Sequence, residues 1–227
     1  MSDPSNLSDH DRQRVSDAVA TAERETAGEI VTILADRSDG YTDVALVWAA
    51  FFALLELLAL AIWPDTHLHI YDPLGGGWVQ EWTPRAIFAL AASLASAVFL
   101  IVLALQLIPA VKFTLIPGPV RTARVHDAAV RAFRIGAERR THGRTGILIY
   151  LSMREHRAEI LADEAIASKV DPDVWGDALA AMLAELKQGR IADGMIAAVE
   201  HVGAVLAEHF PIEDGDTNEL PDRLIEV

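Results

Sequence analysis

The sequence predicts an α/β domain interrupted by a two-helix membrane hairpin. Residues 145–163, TGILIYLSMREHRAEILAD, hold two short apolar runs joined by about four residues, the pattern of a β-hairpin. The first run, Ile147-Leu148-Ile149-Tyr150-Leu151, has no polar face, so it belongs in the middle of a sheet covered by helices. Residues 44–63 and 86–111 are two apolar stretches broken only by Glu56. A helix needs about 20 apolar residues to cross a hydrocarbon core of about 30 Å, and both stretches reach that.

Composition narrows the function. The chain has 227 residues, 52% apolar, with a mean hydropathy of +0.24, high for a soluble protein. The excess lies between Val44 and Val111, which points to membrane segments rather than a larger core. Cysteine is absent, which excludes disulfides, a thiol nucleophile and Cys-ligated zinc. A formal charge of −14 argues against general nucleic-acid binding. The first twenty residues are polar and acidic, so no secretory signal peptide is expected.

In chain order, Ser8 and Asp11 give a capping-box-like helix start. Val15, Ala18, Val19 and Ala22 follow at helical spacing up to Ala27, and Gly28 is expected to end the helix. Residues 29–35, EIVTILA, read as a strand whose sheet partner is not next in sequence. Residues 36–43 read as a polar linker. In and around the two spans, Trp48, Trp63, Trp78 and Trp82 fall near helix ends or in the connecting loop, as interfacial aromatics do. Two buried core helices are the alternative, but the remaining chain is too short to cover both.

Basic residues give an orientation. The loop carries only Arg85, whereas Lys112, Arg121, Arg124, Arg131, Arg134, Arg139 and Arg140 follow the second span. The positive-inside rule therefore puts both termini in the cytoplasm. Glu56, a membrane-embedded carboxylate, is a functional candidate by default; the bland alternative is a hydrogen-bonded helix contact. His67 and His69, with Asp72 nearby, could share a metal but read as exposed loop residues. Gly75-Gly76-Gly77 follows no strand and opens no helix, so it is a loop and not a phosphate cradle.

Pro117-Gly118-Pro119 breaks the chain before a basic amphipathic helix, whose arginines suit either anionic lipid or plain solvent. Beyond the hairpin the charge reverses. Asp173 caps a helix carrying Trp175, Ala178 and Met182, Gly189 ends it, and residues 191–210 form another. His201 and His209 on that last helix are too far apart to ligate one ion. Residues 213–222 are dense in oxygen ligands but lack EF-hand spacing, and read as a solvated acidic tail or a loose Ca²⁺ site.

No nucleophile elbow, P-loop, zincin motif or dinucleotide fingerprint is present. The remaining catalytic material is carboxylate. Asp163 and Glu164 stand at a strand end, with Asp171 and Asp173 following, a set that would take Ca²⁺ or Mg²⁺. No other cofactor is indicated.

THGRTGILIYLSMREHRAEILADEAI, then Trp175, then LKQGRIADGMIAAVEHVGAVLAEHFP and NELPD together resemble the TPM-domain family. That family is linked to photosystem II repair and described as phosphatase-like; the resemblance is to its bacterial membrane-attached members. It covers residues 125–222, and more loosely 7–35, with Asp3-Pro4 and Leu7-Ser8 similar to the family's start. It maps Gly143 and Thr145-Gly146 to the turn before the central strand, and Asp163 to the acidic strand-end position. It maps Gly189 and Gly194 to the helix connections and Asn218-Glu219-Leu220-Pro221 to the tail motif. The resemblance implies a three-layer α/β/α sandwich, with calcium binding or weak phosphatase activity in some members. This chain departs by carrying its spans inside the domain, where other members usually have membrane anchors at the ends.

The expected organisation is residues 1–43 as the first helix and strand, 44–111 as the transmembrane hairpin, 112–210 as the rest of the α/β domain and 211–227 as an acidic tail. The expected protein is a bacterial inner-membrane protein with two spans, whose partners are the bilayer and another membrane protein. It would act in binding, assembly or membrane-protein maintenance; the alternative is a weak divalent-metal-dependent phosphatase.

Overall fold

The computed structural model describes residues 7–71, 82–136, 145–212 and 223–227. Gly143, Asn218 and Glu219, with the oxygen-rich stretch 213–222, lie outside the described residues. The chain divides into two compact units, Met1–Asp39 with Gly118–Val227, and Gly40–Pro117.

The first unit is a mixed α/β domain with a four-stranded sheet. Helix α1 (Asp9–Glu23) starts as the sequence predicts: the Asp11 N–H donates to Ser8 Oγ at 3.1 Å, and the Ser8 hydroxyl donates to the Asp11 carboxylate at 2.7 Å. It stops at Glu23, earlier than expected. Gly28 is therefore not its terminator. A Cβ there would lie 2.9 Å from Leu206 Cδ1, so the glycine permits a close approach to a later helix.

Strand β1 (Glu29–Ala35) is buried along its whole length, as is β2 (Gly146–Ser152). They pair in parallel, from Glu29↔Gly146 to Ala35↔Ser152. Strand β3 (Arg157–Ala162) returns antiparallel to β2, with Ile147↔Ala162 and Ser152↔Arg157 in register. The turn between them is the predicted one, with His156 at φ 52° and its N–H donating to Met153 O. A short strand β4 (Ile225–Glu226), not anticipated from the sequence, pairs in parallel with the outer edge of β1, giving the order β3-β2-β1-β4. Arg12 fixes it: Nε and Nη2 each reach a Glu226 carboxylate oxygen at 3.1 Å.

Side chains alternate across the strands, so the two faces feed two cores. Ile30, Leu34, Ile147, Ile149 and Leu151 pack with α1 and with two later helices, α8 (Val174–Leu186) and α9 (Ile191–His209). Val31, Ile33, Ala35, Leu148 and Tyr150 pack with Val125 and Ala129 of α6 (Gly118–Gly136), the basic helix. A four-residue helix α7 (Glu164–Ala167) follows β3. Gly189, with φ 77°, makes the left-handed turn between α8 and α9 that a side chain would strain.

The second unit holds α2 (Thr42–Ile62), α3 (Pro64–Tyr71), α4 (Pro84–Leu105) and α5 (Pro109–Leu115). Helices α2 and α4 pack on each other, and both are long and apolar enough to cross a membrane. The second helix ends at Leu105 rather than running on to Val111. Gln106 is buried there, its amide donating to Ala45 O at 3.1 Å and Val102 O at 3.3 Å, and Pro109 starts a separate helix. The inter-span segment is not all loop either, since α3 takes up its first residues.

One polar atom in the sheet core has no partner. Thr32, 1% exposed, lies between Ile30 and Leu34 on the strand, and its hydroxyl makes no hydrogen bond among the described residues. Burying an unmet hydroxyl costs on the order of 1–3 kcal/mol. Thr32→Val is therefore expected to raise stability by about 1 kcal/mol, read as a higher denaturant midpoint of the full chain in detergent.

Candidate functional site

Parallel strands present their carboxyl ends together, and in open α/β sheets sites collect there. At this end β1 runs into Asp36 and Ser38, while β2 runs into Arg154 and Glu155. The two exits are stitched together. Met153 N–H donates to Ala35 O at 2.9 Å and Arg154 N–H to Asp36 O at 3.0 Å. Arg154 Nε also reaches both carboxylate oxygens of Asp36 at 2.9 Å.

Beneath this lies a polar chain. The Ser38 hydroxyl donates to Ser152 Oγ at 2.9 Å, and Ser152 donates to Glu155 Oε2 at 2.5 Å. Ser38 has one hydroxyl proton and gives it to Ser152, so Tyr150 OH, 3.1 Å away, is the donor to Ser38. The direction Tyr150→Ser38→Ser152→Glu155 is thus fixed, and it ends on a carboxylate. Glu155 Oε1 also accepts the Ser38 backbone N–H at 3.0 Å. Glu155 and Ser152 are fully buried. A carboxylate inside a protein is tolerated when its oxygens are hydrogen-bonded, and here two donors meet them. Burial pushes the Tyr150 phenol above its ordinary range; the Ser38 hydrogen bond opposes that, the Glu155 charge adds to it and Arg131 opposes it.

The predicted carboxylates sit elsewhere. Because β3 is antiparallel, its carboxyl end lies at the amino end of β1 and β2. Asp163 is thus at the opposite end of the sheet from Glu155. It is 5% exposed, and its Oδ2 accepts the Gly146 N–H at 3.1 Å while its own N–H donates to Gly146 O at 2.9 Å. This closes the end of the β2–β3 ladder. Glu164, Asp171 and Asp173 are exposed. Asp171 Oδ1 accepts the Asp173 N–H at 2.9 Å, and Asp173 precedes α8 without a side-chain cap bond. Among the described residues, no three or more His, Asp or Glu side chains are gathered as metal ligands. Asp163, Glu164, Asp171 and Asp173 are thus not drawn together into such a set.

Glu56 lies in α2 and faces His67 of α3, with Oε1 and Nε2 3.6 Å apart. Sequence reasoning named Glu56 but missed Ser38, Tyr150, Ser152 and Glu155 as a group. The available signal was a polar residue just beyond each strand, which becomes meaningful only once the strands are known to be parallel.

Residues 120–205 match the family model of the TPM domain. Among solved structures, the NMR structure of the BA42 protein from the psychrophilic bacterium Bizionia argentinensis is similar in fold, with a TM-score of 0.55 and 18% identity. That likeness covers 97% of this chain and 95% of that one. No curated protein matches the chain.

The raised Tyr150 ionisation gives a signed pH dependence. The folded state holds the phenolic proton more tightly than the unfolded chain does, so this stabilisation is complete below about pH 10, the ordinary tyrosine value, and is lost as pH rises further. Tyr150→Phe is expected to flatten the fall in stability above about pH 10. Denaturant midpoints measured across that range for both proteins check it; equal slopes would refute the assignment.

Proposed function

We propose, from the premise that residues 120–205 carry a TPM domain, that this chain is a two-span membrane protein whose α/β domain binds or assembles other membrane proteins. The observation that carries the membrane part is the surface of α2 and α4. Val47, Leu54, Phe88 and Leu100 are all more than half exposed, and no residue of α4 is buried. Water would penalise such a surface at about 25 cal/mol per Å², whereas lipid would not. With helices on both faces of its sheet, the domain reads as a three-layer α/β/α sandwich into which the hairpin is inserted. The basic residues after the second span favour cytoplasmic termini in a bacterial inner membrane.

The binding role is supported by the state of the strand-end network. Glu155, Ser152 and Ser38 are joined to one another by hydrogen bonds, and Glu155 and Ser152 are fully buried. That arrangement suits a rigid, shaped surface better than a reacting centre. The rival reading is a divalent-metal-dependent phosphatase at Asp163, Glu164, Asp171 and Asp173.

Three measurements test this reading, two on its membrane part and one on its binding role. The chain is expected to stay with membranes through an alkaline carbonate wash, and a C-terminal reporter active only in the periplasm is expected to stay silent. Purified protein is expected to give no phosphoester turnover with Mg²⁺ or Ca²⁺. Turnover that disappears in Asp163→Ala would replace the binding role with the phosphatase one.

A further inference from the structure

Helix α8 (Val174–Leu186) is apolar nearly all the way round. Of its 13 residues only Asp177 and Glu185 are charged. Trp175, Ala178 and Met182 face the core. At 3.6 residues per turn the opposite side carries Asp177, Ala180 and Ala184, and Lys187 at the helix end continues the line. All four are exposed, as are Val174 and Leu183 on its flanks. A Cβ placed on Gly176 would meet nothing within 4 Å. The other helices of this layer differ. The exposed positions of α1 include Asp9, Gln13 and Asp17, and those of α9 include Glu200, His201 and Glu208. A helix apolar on every side is normally covered on every side. Among the described residues, nothing covers the outer side of α8.

The spacing says what fits there. Asp177, Ala180, Ala184 and Lys187 fall at intervals of three, four and three, the seam pattern of two packed helices. The seam is small in the middle, which lets two backbones approach to the short end of the usual range of about 8–10 Å. Its ends carry opposite charges about 15 Å apart at 1.5 Å per residue. Among the described residues neither Asp177 nor Lys187 has an ion-pair partner. Such a seam complements itself only when reversed. We propose that α8 is a self-association surface, on which α8 of a second copy lies antiparallel about a two-fold axis level with Met182. That register sets Ala180 against Ala184 and Asp177 against Lys187, each contact occurring twice, as an isologous interface requires. It also brings the two copies of Leu183 together beside the axis. A parallel pair would instead oppose like charges at both ends. One helix per copy is a small interface, so the pairing belongs to the weak, concentration-dependent class. It does not depend on α2 and α4 spanning a bilayer.

The chain has no cysteine, so single cysteines report contacts without background. In the full chain in detergent, Leu183→Cys is expected to give a disulfide-linked dimer on mild oxidation, well above the yield of Thr21→Cys, an exposed position on α1. Ala180→Cys mixed with Ala184→Cys is expected to cross-link better than either alone, as the antiparallel register requires. Asp177→Lys or Lys187→Asp, added singly to Leu183→Cys, opposes like charges and is expected to cut the yield several-fold. Exchanging both restores opposite charges and is expected to restore the yield. The double exchange carries the least favourable charges for the dipole of α8, so its recovery cannot come from a sturdier helix. A Leu183→Cys yield no higher than that of Thr21→Cys would overturn the proposal and leave the face to lipid or to a different protein. Better cross-linking of Ala180→Cys with itself, a yield indifferent to the single charge changes, or one that stays low in the double exchange would overturn it equally.

Discussion

The parallel register of β1 on β2 is the constraint on which the rest depends. Glu29 pairs with Gly146 although the whole hairpin unit and α6 lie between them in sequence. Closing a loop that long costs little more than closing a shorter one, since the entropy grows only with the logarithm of length. What pays for the closure is burial: every residue of both strands is inside. The register also decides which polar residues meet. Ala35 opposite Ser152 brings the exits of both strands together, and only then do Ser38 and Glu155 find each other.

The same register explains why a buried carboxylate is acceptable at the strand ends. Glu155 belongs to the turn after β2, and by itself would be a solvated turn residue. The chain leaving β1 lays the Ser38 backbone N–H over it and Ser152 of β2 adds its hydroxyl, replacing water with fixed donors. Losing one donor would leave one oxygen of a buried carboxylate short of a hydrogen bond in a dry place, which is worse than never having buried it. The network therefore ties the two halves of the domain together through directional bonds, in addition to the non-directional packing of the two cores.

Much of the architecture was legible. The β2–β3 hairpin showed as two apolar runs about a four-residue turn, the Ser8–Asp11 cap showed as a spacing, and the apolar helices showed by length. These are local patterns, carried by residues near one another in sequence. The strand-end cluster was not legible because it needs the relative direction and register of β1 and β2, which are far apart in sequence. A strand-end rule applied to Asp163 without knowing that β3 runs backwards points to the amino end of the parallel pair. Strand β4 was missed because two residues, Ile225 and Glu226, leave no periodicity to read. The end of α4 at Leu105 was signalled by Pro109 but masked by the apolar residues around it, and Gly28 was read as a helix stop because its contact with Leu206 is invisible in sequence.

The short β4 also has a consequence for the exposed edge of the sheet. The outer edge of β1 is covered by residues far along the chain, because Arg12 and Leu34 bind Glu226 and Val227. With those residues undocked, β1 displays part of an unpaired parallel edge, and such an edge is a template for pairing with another chain. Two residues of strand thus serve less to extend the sheet than to close it against unwanted partners.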